Sequence, residues 1–591
     1  MQIKKELKKA HAAYQLNDIN LCVNILIKIL QKYPENFEAN LNLANIGISR
    51  GDYGFAEKFI EKAEKIKADD HIALNLIACK INLSKIDDAE LYIKKYYLKL
   101  KKNINYIYLT AKIKIIRKEY NEAEKILDNL LRNNEKNIQA MFSLAYIHNV
   151  NNRYENAINL YNKILNIENN NYDALVNYGI INIKNYINVQ SGVISLEKAF
   201  KQNSTQNVEI RLTLAAGYEI LNKTDEAKKI IDELYKKNPN NYLVNYQMAS
   251  FLSHLDRDKE ALVFINRSIE INDNFPLAKY TKGIILIKLG DYKLGFDFYS
   301  YRQYQENLMR NLNKDFDVKL LKAKDNIVIY AEQGIGDTIL YLRLVDEVKK
   351  LVNKVLLVLP EKLLEIAKRS FNGINIISEN ISNYEAIIRD YNKAIHIASI
   401  PRFIEDFRLI KNKILKINQS LNKQFIPLKT KYNKKIIGIS WKSENKKIGN
   451  KKSINLEKII KVFKDEFIYL NLQYGDCDEE IKGLEKKYNV EIINDHNIDL
   501  YKDLDGQMAL INNCDLVLTI SNVTAHLAGS MGKKTILMLA KYIGDIYYWN
   551  LLDKENNSII YPSIKIIKQT FPDDWDQVLS SAKEQIKKSK I

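Results

Sequence analysis

Chain breakers and cysteines are scarce in this sequence. Only 20 glycines and 8 prolines occur in 591 residues, about 5% against a usual share near 12%. That excludes collagen-like and mucin-like chains and argues against an all-β chain; long helical stretches are expected. The four cysteines, Cys22, Cys79, Cys477 and Cys514, stand far apart, and no Cys-x-x-Cys pair exists. A disulfide framework or a cysteine zinc site does not fit, whereas a reducing compartment does. No run of 18 apolar residues occurs, so no membrane span is expected. The stretch Met1–Lys9 is charged and lacks an apolar signal core, which gives the expectation of a cytoplasmic protein. What is present is 46% hydrophobic and 10% aromatic residues, enough to exclude wholesale disorder and to build roughly three to five domain-sized units, or fewer with a repeat array. Lys and Arg number 90 against 72 Asp and Glu, a net +18. Acids and bases interleave through most of the chain, which reads as a compositional bias. No nucleic-acid-reading motif accompanies the charge, so no nucleic-acid partner is expected.

Internal repetition dominates the first half. One series of small residues runs Ala44, Ala78, Ala111, Ala145, Gly179, Ala215, Ala249, Gly283, at intervals of 33 to 36. A second runs Cys22, Ala56, Ala89, Ala123, Ala157, Ser191, Ala227, Ala261, Gly295. Two such series, offset within each period, predict a helix pair per repeat with a small residue at the close contact. Turns containing Asn and Pro, such as Tyr33-Pro34-Glu35-Asn36 and Asn238-Pro239-Asn240, separate the pairs. The step from Ser191 to Ala227 predicts a two-residue insertion near Gln202–Gln206. The pattern resembles the tetratricopeptide repeat over about residues 8–305. Arrays of this kind present an extended concave face, so a protein partner is expected, with a spacer or dimerisation arm as the alternative.

Near residue 320 the pattern changes. Short β-branched runs alternate with helical stretches, and all three tryptophans (Trp441, Trp549, Trp575) lie beyond this point. Strands are predicted at 326–330, 354–359, 374–378 and 394–398, then at 435–441, 467–473, 490–494, 515–520 and 534–539. Alternation of strand and helix predicts parallel, doubly wound sheets in two clusters, with ligands beyond the carboxyl ends of the strands. The domains are placed at 1–320 (repeat array), 321–428 and 429–591.

Three motifs carry candidate chemistry. Glu332-Gln333-Gly334-Ile335-Gly336-Asp337-Thr338 follows a strand and opens a helix, bringing backbone N–H groups toward a ligand; Asp337 reads either as a functional carboxylate or as a helix N-cap. Ser521-Asn522-Val523-Thr524-Ala525-His526 ends a strand and starts a helix rich in small residues. Its N–H groups and dipole favour a phosphate, Thr524 offers a hydroxyl, and His526 reads as a packed histidine when taken alone. Gly438-Ile439-Ser440-Trp441-Lys442 leads into a loop with Lys446, Lys447, Lys451 and Lys452, which suits a diphosphate or a solvated surface. Leu472-Gln473-Tyr474-Gly475 follows another strand. Asp476-Cys477-Asp478 spells Asp-x-Asp but reads as an ordinary polar loop, so no metal site is expected.

In this order, with Tyr561-Pro562-Ser563 after them, the motifs resemble bacterial tetratricopeptide-repeat glycosyltransferases. The catalytic half is similar to the lipopolysaccharide heptosyltransferases (glycosyltransferase family nine) and more distantly to O-linked N-acetylglucosamine transferase. The resemblance implies an α-solenoid followed by an α/β GT-B fold with two Rossmann-like halves: an acceptor side at 321–428 and a nucleotide-sugar side at 429–591, whose last helix, about Trp575–Lys590, packs back across the cleft. It implies an inverting, metal-independent transfer from a nucleotide-sugar co-substrate, without a resident cofactor. Asp337 takes the place of the base. Gln333, Gly334, Gly336, Trp441, Lys442, Lys451, Lys452, Gln473, Ser521, Asn522, Thr524, Ala525 and His526 take substrate-binding places. The acceptor implied is a protein such as flagellin or another surface protein. A glycan acceptor, or a non-catalytic scaffold with a degenerate sugar-nucleotide domain, are the alternatives.

Overall fold

The computed structural model describes residues 2–202, 207–304, 320–381, 384–404, 414–432, 434–445, 448–463, 466–541 and 546–588. Compactness divides the chain into Met1–Thr205 and Gln206–Ile591.

The first unit runs from α1 (Gln2–Gln15) to α12 (Val189–Gln202). Consecutive helices pair: α3 (Phe37–Ser49) with α4 (Tyr53–Ile66), α9 (Ile138–Val150) with α10 (Tyr154–Ile167), α11 (Tyr172–Lys184) with α12. Small residues permit this approach. Ala44, Ala56, Ala123, Ala145 and Ala157 are fully buried, and a Cβ on Gly47 would stand 2.9 Å from that of Ala56. Asparagines open the first helix of successive pairs. Asn36, Asn137 and Asn171 accept the N–H of Ala39, Ala140 and Ala174 at 2.9, 2.9 and 3.0 Å, each cap contributing about 1 kcal/mol. The turn inside each pair carries one left-handed residue, at Asn17, Gly51, Ser84, Lys118, Asn152 and Tyr186.

One repeat departs from the expected register. The residue that meets Gly179 is Gly192, not Ser191: a Cβ on Gly192 would stand 2.9 Å from the Gly179 carbonyl. The α11–α12 turn, residues 185–188, is one residue longer than the α9–α10 turn, residues 151–153. One of the two extra residues is therefore placed here, ahead of the expected position; most of that position, residues 203–206, lies outside the described residues.

The second unit begins with six more helices of the same kind, α13 (Val208–Ile220) to α18 (Tyr292–Tyr299). Here α15 (Tyr242–His254) pairs with α16 (Asp258–Ile271), and α17 (Pro276–Lys288) with α18. Gly283 and Gly295 face each other across the last pair; a Cβ on Gly283 would meet the Gly295 carbonyl at 2.8 Å. A 3-10 turn, Ser300–Tyr304, follows. The chain is thus a tetratricopeptide-repeat solenoid followed by an α/β region with two parallel sheets.

The first sheet holds β1 (Asn326–Tyr330), β2 (Lys354–Leu359), β3 (Asn375–Ser378) and β4 (Lys393–His396) in the order β3-β2-β1-β4. Val328 lies opposite Leu356 on one side and Ala394 on the other. The second holds β5 (Ile436–Ser440), β6 (Ile468–Asn471), β7 (Ile492–Ile493), β8 (Leu516–Ile520), β9 (Thr535–Leu539) and β10 (Ile564–Lys568) in the order β10-β9-β8-β5-β6-β7. Nine of these strands fall on the nine predicted runs. β10 was not anticipated: its short Ile-Lys-Ile-Ile-Lys run sits beside Tyr561-Pro562-Ser563, which reads as a turn. Counted within itself, the second sheet has the 3-2-1-4-5-6 order of dinucleotide-binding sheets, and the first has its opening four strands. The strand order reverses between β1 and β4 and between β5 and β8. Ligand crevices of such sheets open at the carboxyl ends of these strand pairs.

Two expectations are corrected. The boundary at 428/429 falls inside α23 (Gln419–Lys431), which packs on α27 (Leu504–Asn513) and whose Asn422 side chain accepts from Asn512 and Asn513 at 2.9 and 3.0 Å. The last helix, α29 (Trp575–Lys588), does not cross back over the cleft. Its Trp575, Val578, Leu579, Ala582 and Ile586 stripe belongs to the core on one face of the second sheet, beside α25 (Leu456–Phe463). A stripe that matches an uncovered sheet face buries more apolar surface there than on a polar cleft. The other face of that sheet shares one apolar cluster with the first sheet and with Ile287, Phe296 and Tyr299 of the last repeat.

Candidate functional site

The β1–α19 turn leads from Tyr330 to α19 (Ile335–Leu342). Gln333 takes a left-handed backbone, φ +60°, uncommon for a residue with a Cβ. What holds it there lies one residue before. Glu332 and Arg302 form a fully buried ion pair. Arg302 also donates to Tyr299 O and to Ser399 Oγ, at 3.2 and 2.8 Å. Glu332 further accepts the N–H of Ala398 at 3.1 Å. This clamp joins the 3-10 turn after α18, the β1–α19 turn and the turn after β4. Glu332, part of the motif but not among the expected site residues, is structural; its neighbours Gln333 and Gly334 are exposed.

Asp337 is the third residue of α19, not its N-cap. Its Oδ2 reaches back to accept the Gly334 N–H at 3.3 Å, and its Oδ1 accepts from the Tyr548 hydroxyl at 3.1 Å. Burial pushes its carboxyl up from the usual range, against the Tyr548 and Gly334 hydrogen bonds and the charge of Lys452. Gly336 makes a close approach inside the protein. A Cβ there would stand 2.7 Å from Cδ2 of His526, so this glycine lets α19 close on α28 (Val523–Ser530).

His526 is buried among Tyr548, Trp549 and Tyr561, with ring centroids at 5.5, 5.0 and 5.9 Å. Its Nδ1 lies 3.3 Å from the Tyr561 hydroxyl and its Nε2 3.4 Å from that of Tyr548. Burial, with Lys452 adding to it, pushes the imidazole down to about 3, so it is neutral at physiological pH.

The remaining motif residues of the second sheet are tied to one another. Asn522 caps α28, accepting the Thr524 N–H at 3.1 Å, and donates to Ser440 Oγ at 2.8 Å, bridging the ends of β8 and β5. Gln473 Oε1 accepts from Ser440 Oγ, Trp441 N and Lys442 N at 3.1, 2.9 and 2.7 Å. Ser521 accepts from the Trp549 indole at 3.0 Å. Trp441 is fully buried in the second core and Ala525 in the shared one. The Thr524 hydroxyl accepts from Gln507 at 3.1 Å and lies 3.5 Å from Leu472 O. The Thr524 hydroxyl expected to serve a phosphate thus has partners inside the protein. Lys442 pairs with Glu480 at 2.5 Å.

Lys452 stands apart. It ends the one-turn helix α24 (Gly449–Lys452), is 7% exposed, and has no ion pair or side-chain hydrogen bond among the described residues. Burial pushes its ammonium down while Asp337 pulls it up. A buried cation is costly unless an opposite charge compensates it, and the charge acting on this one is Asp337. Lys451 beside it is half-buried; Lys446 and Lys447 lie outside the described residues. Among the described residues no group of three His, Cys, Asp or Glu side chains is gathered for a metal ion, and no helix is long and apolar enough to cross a membrane.

Asp337 and Tyr548 also line a cavity of about 300 Å³ whose other wall comes from the repeats: Ser250 of α15, Thr281 and Lys288 of α17, and Tyr299. The cavity thus joins three parts of the second unit: the turn after β1, the segment Ile546–Asn550 after β9, and the first helices of the last two repeat pairs. Tyr548, Tyr561 and the Tyr299–Arg302 segment were not singled out as site residues. The signals for them were the Tyr561-Pro562-Ser563 motif and the aromatic cluster Tyr547-Tyr548-Trp549.

These features define a tetratricopeptide-repeat protein with an appended α/β region of two parallel sheets. A family model described as "Tetratricopeptide repeat" matches residues 7–71 and 117–174. A second, described as "Type III restriction enzyme, res subunit", matches residues 298–426. The chain is similar to Protein FlbA of Caulobacter vibrioides, 23% identical over 380 residues; the match covers 58% of this chain and 60% of that relative, so it spans under two thirds of the relative's length. Among solved structures, a tetratricopeptide repeat protein from Parabacteroides merdae is 16% identical over 46% of this chain and 94% of its own, with a TM-score of 0.32. YrrB, described as a TPR protein with an unusual peptide-binding site, is 15% identical over 31% of this chain and 93% of its own, with a TM-score of 0.23.

Proposed function

We propose that the chain is a glycosyltransferase of the GT-B type, moving a sugar from a nucleotide-sugar to a protein acceptor delivered by the repeats. The observation that carries the proposal is the position of Asp337. This carboxylate lines a cavity walled by repeat helices α15 and α17, accepts from the Tyr548 hydroxyl, and lies within reach of the charge of Lys452. In this reading the first sheet carries the acceptor side and the second the donor side. Asp337 takes the proton from an acceptor hydroxyl. Charge develops on the departing diphosphate, and Lys452 with Lys451 offsets it. The protein acceptor, flagellin or another surface protein, follows from a cavity that opens onto repeats rather than onto an apolar surface.

The restriction-subunit match favours a second reading, nucleotide triphosphate binding at the β1–α19 turn. A phosphate-binding loop of that class ends Gly-Lys-Ser/Thr, its lysine reaching the terminal phosphates. Here the same place reads Gly336-Asp337-Thr338. A carboxylate there repels the phosphates a lysine would hold, and His526 fills the space over Gly336. Comparing the glycoproteome of cells with and without the protein tests the proposal. A modification that vanishes with the protein, and with the Asp337→Asn variant, is the expected result. Unchanged protein glycosylation alongside an altered surface polysaccharide would move the acceptor to a glycan, and no change in either would favour a scaffold.

A further inference from the structure

We propose that Tyr548 is the positioning residue of this site: its hydroxyl, set between Asp337 Oδ1 and His526 Nε2, completes a directed hydrogen-bond chain that holds the carboxylate toward the cavity. The inference rests on the reading of Asp337 as the base, but its geometry stands independently. An ionised Asp337 only accepts, so the Tyr548 O–H must donate to it over 3.1 Å. The Tyr548 oxygen is then left to accept, and the group facing it at 3.4 Å is His526 Nε2. His526 must therefore carry its proton on Nε2, and its bare Nδ1 accepts from the Tyr561 hydroxyl at 3.3 Å. Each link fixes the next, and Tyr561, His526, Tyr548 and Asp337 have one consistent arrangement of protons. Both tyrosine hydroxyls and the imidazole are buried, where reversing the chain would leave a donor or an acceptor without its partner.

The groups facing Asp337 from every side are Tyr548, His526 on α28, Lys452 on α24, Glu332 and the Gly334 N–H on its own turn, and the Tyr299, Tyr547 and Tyr561 hydroxyls. Among the uncharged side chains of this set, Tyr548 is the donor bonded to the carboxylate. Removing it should raise the pH at which Asp337 ionises and free the carboxylate to rotate.

The chain contains seven histidines, which makes histidine-selective 15N NMR of the full-length protein a direct test, with the His526→Gln variant assigning the resonance. The expected result is a neutral Nε2–H tautomer that does not titrate between pH 5 and 8, and a changed His526 Nε2 shift in Tyr548→Phe. An Nδ1–H tautomer, or a His526 signal indifferent to Tyr548→Phe, would overturn the chain whatever the enzyme does. Once a donor is found, donor hydrolysis against pH is the second readout. Tyr548→Phe should move the acid limb upward by about one pH unit or more, with kcat falling while the donor-induced thermal shift persists. An unmoved limb with a normal NMR response would leave the chain structural and reject the positioning role. Loss of all activity in Asp337→Asn without any effect of Tyr548→Phe would likewise reject it while leaving the proposed function standing.

Discussion

The two sheets share a strand order but use their carboxyl ends differently. At the first, the β1–α19 turn leaves Gln333 and Gly334 exposed and Asp337 half-buried beside a cavity. At the second, Gln473, Ser440 and Asn522 bond to one another, Thr524 is held by Gln507 and Ser521 by Trp549, while Lys452 forms no ion pair among the described residues. The lesson is that a motif marks the place of a site without assigning each of its residues to the ligand. The Ser521–His526 segment has many partners inside the protein. The turn after β1 carries fewer partners, and its chemistry is correspondingly more exposed.

The sharpest way to break this comparison is to release the clamp that sets the first turn. Arg302→Met leaves Glu332 buried without its partner and should cost about 3–5 kcal/mol. Tryptophan fluorescence in urea reports on the α/β region alone, because all three tryptophans lie there. The double variant Arg302→Met/Glu332→Met should recover most of the loss, and failure to recover would deny the ion pair its structural role. Lys452→Met should do the reverse: stability unchanged or higher, with donor affinity down about 10-fold or more, since it removes a buried charge that forms no ion pair among the described residues. Isothermal titration with the bound donor would show this, and unaltered affinity would place the diphosphate elsewhere.

A third test uses pH. Unfolded His526 takes a proton near 6.5, whereas the folded residue resists down to about 3. Its contribution is therefore complete above pH 6.5 and falls as pH is lowered toward 3, by about 1.4 kcal/mol per unit. His526→Gln should flatten the difference in urea midpoint between pH 7.5 and pH 5; an equal slope in both proteins would contradict the buried neutral imidazole. The smallest effect is expected for Thr524→Val, a loss of about 1–2 kcal/mol from the unpaired Gln507 amide with donor binding intact.

How much of this was legible in the sequence varies with how each feature is built. The repeats were legible because Ala44, Ala56 and their successors recur wherever two helices touch. The one-residue slip at Gly192 was hidden, since Ser191 is also small and keeps the 34-residue interval. The left-handed turn residues were invisible because Lys118 and Tyr186 occupy that conformation as readily here as Gly51 does. Strands β1 to β9 were readable from their β-branched runs between breakers. The clamp of Arg302, Glu332 and Ser399 was not, because its members come from three distant segments and no local spacing links them. The close packing at Gly336 was not readable either, because the ring it makes room for lies 190 residues further along the chain.

Whether the second sheet holds a sugar-nucleotide beside Asp337 is decided by a thermal-shift measurement. The full-length protein would be heated without added metal in the presence of UDP-, ADP-, GDP- and CMP-linked sugars, their nucleoside diphosphates, and ATP. A ligand bound by the folded state raises the melting temperature by mass action. A rise is expected with one nucleotide-sugar family, kept in Asp337→Asn and diminished in Lys452→Met, and none with ATP. A rise with ATP alone, insensitive to Lys452, would contradict the proposed function and favour the triphosphate-binding reading.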